Sequence, residues 1–483
     1  MRFDAVVVGS GPNGLAAAVT LARAGLAVTV LERSDHIGGG ASTLELTEPG
    51  AWHDVCSAVH PLAVTSEFFR RFGLSSRVEL LTPEISYAQP ITPQRAAIAY
   101  RDLSRTADGL GIDAAAWARL FRPFVDDPTR LADFIGHPML PVPSRPLTAA
   151  AYAPRVLRHG TPAWNRVFRE TDAPALLTGV FAHTIQRMPS IGTAAAGLAL
   201  AALAHGPGWP IPRGGSAAIS RAMADDLLRH GGRIETGVRV RRLSELPPAL
   251  ITMLDVTPRA FTEMDDGSLP VLFRRRMRRF RYGNAAAKAD FVLSEPVPWR
   301  DERLSQAVTV HVGGTRDDIV SAEAAVASGR HAAQSYVLTC QPTVLDATRA
   351  PKGRHILWAY SHVPSGSTAD PTEPIAARIE RFAPGFRDTI VASSSFSARR
   401  LAEVELNDVG GDIAAGDVSA WQLVARPRLG AHPWDTPRPG TYLCSASTVP
   451  GPGVHGQCGW LAARRALSRE LGIVDAPDLS PKP

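Results

Sequence analysis

The chain opens Phe3-Asp4-Ala5-Val6-Val7-Val8-Gly9-Ser10-Gly11-Pro12-Asn13-Gly14, and this stretch decides how the rest is read. Phe3 to Val8 is β-rich and runs straight into glycines. Leu15 to Ala24 has the alanine content of a helix, with Gly25 placed to stop it. Ala27 to Leu31 is a second β-rich run, and it ends in Glu32. Strand, glycine turn, helix, strand and acid, in that order, form the βαβ fingerprint of a dinucleotide site. Gly9 permits the tight turn, Gly11 lets backbone N–H groups approach a pyrophosphate, and Gly14 lets the helix pack on the strand. Pro12 and Asn13 complete the turn, and the helix N-terminus adds partial positive charge. Glu32, 18 residues past Gly14, stands where a carboxylate accepts both hydroxyls of a ribose.

Beyond the second strand, Arg33-Ser34-Asp35-His36-Ile37-Gly38-Gly39-Gly40 offers a second place for close backbone approach. That suits a ligand longer than NAD, threading onward from the first turn. The stretch from Gly9 to Gly39 resembles the N-terminal signature of the flavoproteins that include amine oxidases and phytoene desaturases. Later blocks resemble the phytoene-desaturase-like branch of FAD oxidoreductases, close to the pyridine nucleotide-disulfide oxidoreductase domain-containing protein 2 group. These blocks are Ala182-His183-Thr184, Pro212-Arg213-Gly214-Gly215, Tyr282-Gly283, Leu357 to His362, Gly410-Gly411-Asp412 and Cys444 to Ser447. The resemblance covers essentially the whole chain.

It implies an α/β fold: an FAD-binding Rossmann-type domain, of glutathione-reductase and amine-oxidase kind, with an interleaved α+β substrate domain. The cofactor-binding stretches are expected at 1–77, 211–258 and 398–475, the substrate domain at 78–210 and 259–397, and a tail at 476–483. Ser216 to His230 reads as a helix and Arg233 to Leu243 as an alternating strand. The resemblance places the adenine against the backbone of Val240. A hairpin common in the superfamily is replaced by the short link Ser244 to Pro248. Near the end, Thr441 to Ser445 reads as a strand, then comes a glycine-rich turn to Gly456 and a helix from Gln457 to Leu467. The resemblance lays Ser447, Gly453, Val454 and His455 along the FAD. It also leads one to expect an acid at the end of that strand, where Ser445, Ala446 and Ser447 stand instead.

Composition removes several alternatives. Hydrophobic residues make up 45% and charged residues 20%, the balance of a packed globular protein rather than a disordered one. Lys288, Lys352 and Lys482 are the only lysines among 52 basic residues, a bias that points to a GC-rich, bacterial genome. A net charge of +6 over 483 residues, with no aromatic-interleaved basic stripe, argues against a nucleic-acid partner. Four dispersed cysteines without a C-x-x-C pair argue against zinc, a dithiol centre and a secreted disulfide scaffold. A reduced, cytoplasmic protein is expected, with no metal. The apolar run Ile191 to Ala204 is too short to span a bilayer and reads as a buried helix.

No second glycine fingerprint follows, so electrons are expected to leave to oxygen, a quinone or another protein rather than to a second bound nucleotide. The resemblance implies hydride transfer to flavin N5 from a lipophilic isoprenoid, polyene or acyl-type substrate. A redox-neutral isomerase or saturase on the same scaffold is the alternative, and a non-catalytic lipid- or partner-binding protein is another. His455, inside the glycine-rich segment, and His60, in the loop after the first βαβ unit, are the candidate bases, with His183 and His362 behind them. Lys288 is expected to pair with Asp290. Phe273 to Tyr282 carries six arginines, with Phe273, Met277 and Phe280 at i, i+4 and i+7. It reads as a basic amphipathic helix docked by its apolar stripe, and as a candidate contact with a membrane surface.

Overall fold

A computed structural model describes residues 3–140 and 142–481. Pro141, the first residue of an expected proline-rich loop, lies outside them, as do the two residues at each end.

The fingerprint folds as its pattern requires. Ala5–Val8 and Val28–Leu31 pair in parallel, Ala5 with Val28, joined by helix Pro12–Arg23. Both strands are fully buried, because a parallel strand is covered on each face. Three more parallel strands come from far along the chain. Ile251–Leu254 pairs with the first strand, Thr441–Leu443 lies beyond it, and Arg233–Glu235 edges the second. Helix Gln457–Leu471 packs so closely on the first helix that a Cβ on Gly459 would lie 1.7 Å from the carbonyl oxygen of Asn13. On the other side of that helix, Arg23 and Arg77 meet the buried carboxylate of Asp226 at 2.7 and 3.0 Å.

One expected strand is much shorter than its alternation suggests. Pairing along Arg233 stops at Glu235, since Gly237 turns at φ +73 and donates to Ser34 O before Val238 returns to Glu32 O. Val240 therefore lies in a loop, half-buried against the cluster of Val8, Leu254 and Phe261.

The second sheet has seven strands, drawn from 85–100 and 285–396. It is antiparallel except for one bridge, Val310 to Ala88. Long strands Ala285–Leu293 and His355–Val363 form its centre. One face, with Phe291, Leu357 and Ala359, is covered by Ile375, Ile379 and Phe382. The other carries Lys288, Asp290, Trp358, Tyr360 and His362, placed opposite one another by the register. Across it lie helices Asp172–Phe181 and Ile191–Ala204, the latter with the bounds expected from the sequence.

Candidate functional site

The glycine turn lies at the carboxyl ends of the parallel strands, where ligands of open α/β sheets bind. A Cβ on Gly14 would meet the Gly9 carbonyl oxygen at 2.2 Å, so this position must be glycine for helix and turn to touch. The second glycine cluster folds back onto the first: a Cβ on Gly39 would stand 3.3 Å from Gly11 Cα. Gly9, Gly11, Pro12, Gly39 and Gly40 all keep part of their surface open. Glu32 ends the second strand buried, and accepts from Ser10 N and Oγ at 2.8 and 2.7 Å and from Ser34 N at 2.8 Å. These bonds fix the carboxylate at the edge of the turn and leave lone pairs for a ribose. Asn13 Oδ1 is buried there without a partner.

Sequence reasoning missed the acids that close on this turn. Asp255 follows the third strand and accepts from Gly14 N at 2.9 Å, so it caps the helix end that the sequence leads one to expect at a phosphate. Burial pushes its carboxyl up to about 7, with Glu32 adding to the rise and the Gly14 amide opposing it. The segment after helix Ala398–Val404 brings Glu405 and Asp408 to the second glycine cluster. Glu405 Oε2 lies 3.6 Å from where a Gly39 Cβ would stand, and Asp408 Oδ2 lies 3.9 Å from Cys56 Sγ. Burial again dominates, holding Glu405 at about 7 and Asp408 well above the usual carboxylate range. Arg33 does not neutralise them directly, since its guanidinium donates to the carbonyls of Glu403 and Val404.

The C-terminal turn is built from its own side chains. Ser445 Oγ donates to Val256 O at 2.8 Å and Ser447 Oγ to Ala415 O at 2.7 Å, and both serines are fully buried. They tie the turn to its neighbours rather than pointing a side chain at a ligand, while the backbone of Gly453 is exposed and Val454 half-exposed. His455 Nε2 faces Gly451 O at 3.1 Å, and its Nδ1 accepts from Gln457 N at 3.0 Å. The ring is thus fixed as the Nε2–H tautomer within its own turn. His60 bridges Ser216 Oγ at 2.7 Å and Ser57 Oγ at 3.3 Å. Burial lowers both imidazoles to about 4. His455 holds backbone in place and His60 joins the hydroxyls of Ser57 and Ser216, and both nitrogens of each ring are engaged.

A third histidine is freer. His183 shares a hydrogen bond with His311, Nε2 to Nε2 at 3.0 Å, and keeps part of its surface open, whereas His60, His362 and His455 are buried. Burial lowers it to about 3, with His362 adding to the effect. Trp209 stands edge-on to it at 5.5 Å and Tyr87 stacks on Trp209 at 4.9 Å. Tyr360 and Trp358 continue this aromatic wall along the sheet. His362 Nδ1 lies 2.5 Å from Glu323 Oε1, and both side chains are buried.

Lys288 pairs with Asp290 at 2.9 Å, as the sequence suggests, and does more. It donates to Asp54 O and Val55 O, both at 2.8 Å, and so stitches the second sheet to the loop that leads to Cys56 and His60. The Asp54 side chain in turn meets Arg349 at 2.9 Å, each 1% exposed.

The flavin containing amine oxidoreductase model matches residues 13–261, just over half of the chain and all but the start of the fingerprint. The chain belongs to that family. Pyridine nucleotide-disulfide oxidoreductase domain-containing protein 2 of Rattus norvegicus is 23% identical to it, over 96% of this chain and 93% of the rat protein. A phytoene dehydrogenase of Streptomyces griseus is 27% identical, over 80% of this chain and 77% of its own. Among solved structures, cyclohexylamine oxidase from Brevibacterium oxydans superposes with a TM-score of 0.59 at 16% identity, covering 96% of this chain and 99% of its own. The fold is therefore that of the FAD-binding amine oxidases, the cofactor is FAD, and the chain is an FAD-dependent oxidoreductase of this superfamily. The cradle suits it: the Gly11–Gly39 approach, the fixed Glu32 carboxylate and the unpartnered Asn13 Oδ1 are what a nucleotide edge would meet. The acids around it set a condition on charge. No helix among the described residues is long and apolar enough to cross a membrane.

Proposed function

We propose that this protein is an FAD-dependent dehydrogenase of a lipophilic substrate, an isoprenoid, polyene or acyl chain. The observation that carries this reading is the electrical neutrality of the wall that faces the helices. His183 and His311 are held uncharged by burial, Lys288 is matched by Asp290, the Glu323 carboxylate is bonded to His362, and Tyr87, Trp209, Trp358 and Tyr360 supply the rest. An uncharged chain brings no charge to be desolvated there, whereas an ammonium substrate would need a carboxylate, and Glu323 is already bonded to His362. The distant kinship with a phytoene dehydrogenase supports the same direction.

FAD, when bound, supplies the hydride acceptor. Gly9, Gly11, Pro12, Asn13 and Gly14 would cradle it, Glu32 would hold its ribose, Gly38 to Gly40 with Arg33 would border it, and the backbone of Val240, Gly453 and Val454 would meet it, with the buried Ser447 and His455 shaping the turn behind. Trp358 and Tyr360 orient the substrate chain and keep water out. Loss of hydride leaves a substrate cation whose neighbouring C–H is acidic, so even a weak base suffices. His183 is that acceptor: it can take the proton at Nδ1 while Nε2 stays bonded to His311. His60 and His455 hold the two loops that frame the space. Electrons then pass to oxygen, a quinone or a protein.

Anaerobic mixing of FAD-loaded protein with candidate polyenes and acyl lipids tests this. Bleaching of the flavin band by a lipid supports it. Bleaching by amines alone overturns it, and product formed without bleaching points to redox-neutral isomerisation.

A further inference from the structure

The helix expected over Phe273 to Tyr282 instead runs Val271–Arg278: it docks by Met277, 1% exposed, and Phe280 is buried just past its end rather than on its face. Its outer side is not simply a solvated basic face. Val271 and Leu272 are 69% and 81% exposed, and Leu272 stands one turn before Arg276. Beside this helix the short helix Ala420–Val424 presents Trp421, 60% exposed. Between them lies a cavity of about 460 Å³, lined by Arg276, Arg279, Arg281 and Arg428 together with Phe280 and Trp421.

These four arginines are poorly compensated. Arg281 has Asp417 at 3.8 Å, but Arg276, Arg279 and Arg428 have no carboxylate within ion-pair distance among the described residues. Arg428 donates one Nη2 proton to His432 O at 2.6 Å, while its Nε is buried with no partner. Burial, with Arg276 close by, holds its guanidinium below the usual value despite Asp435. Like charges gathered around a cavity repel unless an anion sits among them. A small free anion would use the guanidinium groups and ignore Leu272 and Trp421. A bilayer uses all of them, with phosphates at the arginines, the indole at the headgroup level and the aliphatic side chains deeper.

We propose that this face docks the protein on an anionic lipid bilayer. Its position suits delivery of a lipophilic substrate. Asp417, which faces Arg281, also accepts from Gln186, three residues beyond His183. Docking itself does not depend on the substrate reading, because it is measured with no substrate present.

The test is co-sedimentation of the full chain with vesicles of phosphatidylcholine plus phosphatidylglycerol, or of phosphatidylcholine alone. Pelleting is expected with the anionic vesicles and not with the neutral ones. Arg276→Glu with Arg279→Glu should weaken it by about tenfold or more, since each arginine at such a surface is worth roughly fivefold. Both residues are exposed and unpaired, so an unchanged melting temperature is expected and separates lost docking from lost folding. Trp421→Ser should weaken it independently of salt. No pelleting, equal pelleting of the charge-reversed protein, or binding of inorganic phosphate without vesicle binding would each overturn the proposal.

Discussion

Asp255 and Gly14, 241 residues apart, share a 2.9 Å hydrogen bond that puts a carboxylate on the positive end of the first helix. An FAD pyrophosphate bound as proposed would need that same helix end. With Glu405 and Asp408 nearby, the cradle binds its anionic ligand most easily when these acids carry protons.

The sign of the resulting pH dependence follows from the raised carboxyls. Asp255 and Glu405, at about 7, are largely neutral at pH 6 and ionised at pH 8. FAD affinity should therefore fall as pH rises through 7. Asp255→Asn keeps an acceptor for the Gly14 amide and removes the charge. It should tighten FAD binding at pH 8 by about tenfold, or ~1.4 kcal/mol, and flatten the profile. Quenching of FAD fluorescence on titration with apoprotein measures this directly. A profile equally steep in the variant would refute it.

Glu32→Gln tests the other contact. The amide oxygen can keep the Ser10 or Ser34 amide bonds, so the fold should survive with a melting temperature close to that of the parent. Two charge-assisted bonds to the ribose become neutral ones, at ~1–2 kcal/mol in all, so FAD affinity should drop about tenfold or more. An unchanged dissociation constant would move the ribose elsewhere.

The cradle was legible because its signals are local: strand, turn, helix and acid lie within forty residues. Helix Ile191–Ala204 and the Lys288–Asp290 pair were legible for the same reason. The acids that condition the cradle were not, since Asp255, Glu405 and Asp408 reach it from separate segments and no periodicity records that. Arg349 and Asp54 are likewise joined only by the fold, 295 residues apart. The strand expected to run to Leu243 failed on Gly237, because alternation of arginine and valine on an edge says nothing about where the hydrogen-bond ladder ends. His455 drew attention by its place in a glycine-rich turn, and that turn is what both of its nitrogens hold.

His455→Ala should consequently act on structure before chemistry. The Gln457 amide at the start of the C-terminal helix loses its acceptor and the Gly451 carbonyl its partner, at a cost of about 1–3 kcal/mol. The expected result is a lower melting temperature and reduced FAD content, with the pH profile of the residual activity unmoved. A shifted acid limb at full FAD loading would instead make His455 the proton acceptor. His183→Gln should give the converse, normal loading with slowed reduction of the flavin.

Buried histidines also set the acid limit of stability. His60, His205 and His455 are lowered to about 4 in the folded chain, against about 6.5 in an unfolded one. The unfolded state therefore binds more protons between those values, and each neutral histidine loses the fold about 2 kcal/mol by pH 5. Their contribution is complete above pH 6.5 and declines as pH falls toward 4. His205→Gln, where Trp117 Nε1 and Tyr100 O are the partners, should show a smaller drop in urea midpoint between pH 7 and pH 5 than the parent. Equal drops would mean that His205 is not neutral in the fold.

Lys288 offers the sharpest separation of structure from catalysis. Its ammonium sits 2.9 Å from Asp290 and donates to two carbonyls of the loop before Cys56, all of it buried. Lys288→Met leaves Asp290 buried with only the His53 imidazole facing it at 3.4 Å, and removing one partner of a buried pair typically costs about 3–5 kcal/mol. Lys288→Met combined with Asp290→Asn removes both charges and should recover most of that loss, in urea unfolding followed by tryptophan fluorescence. If the lysine served only to balance the buried Asp290 charge and so stabilise the fold, the double variant would also regain its rate of flavin reduction. A double variant that is stable, FAD-loaded and still slow would place the ammonium in the reaction itself.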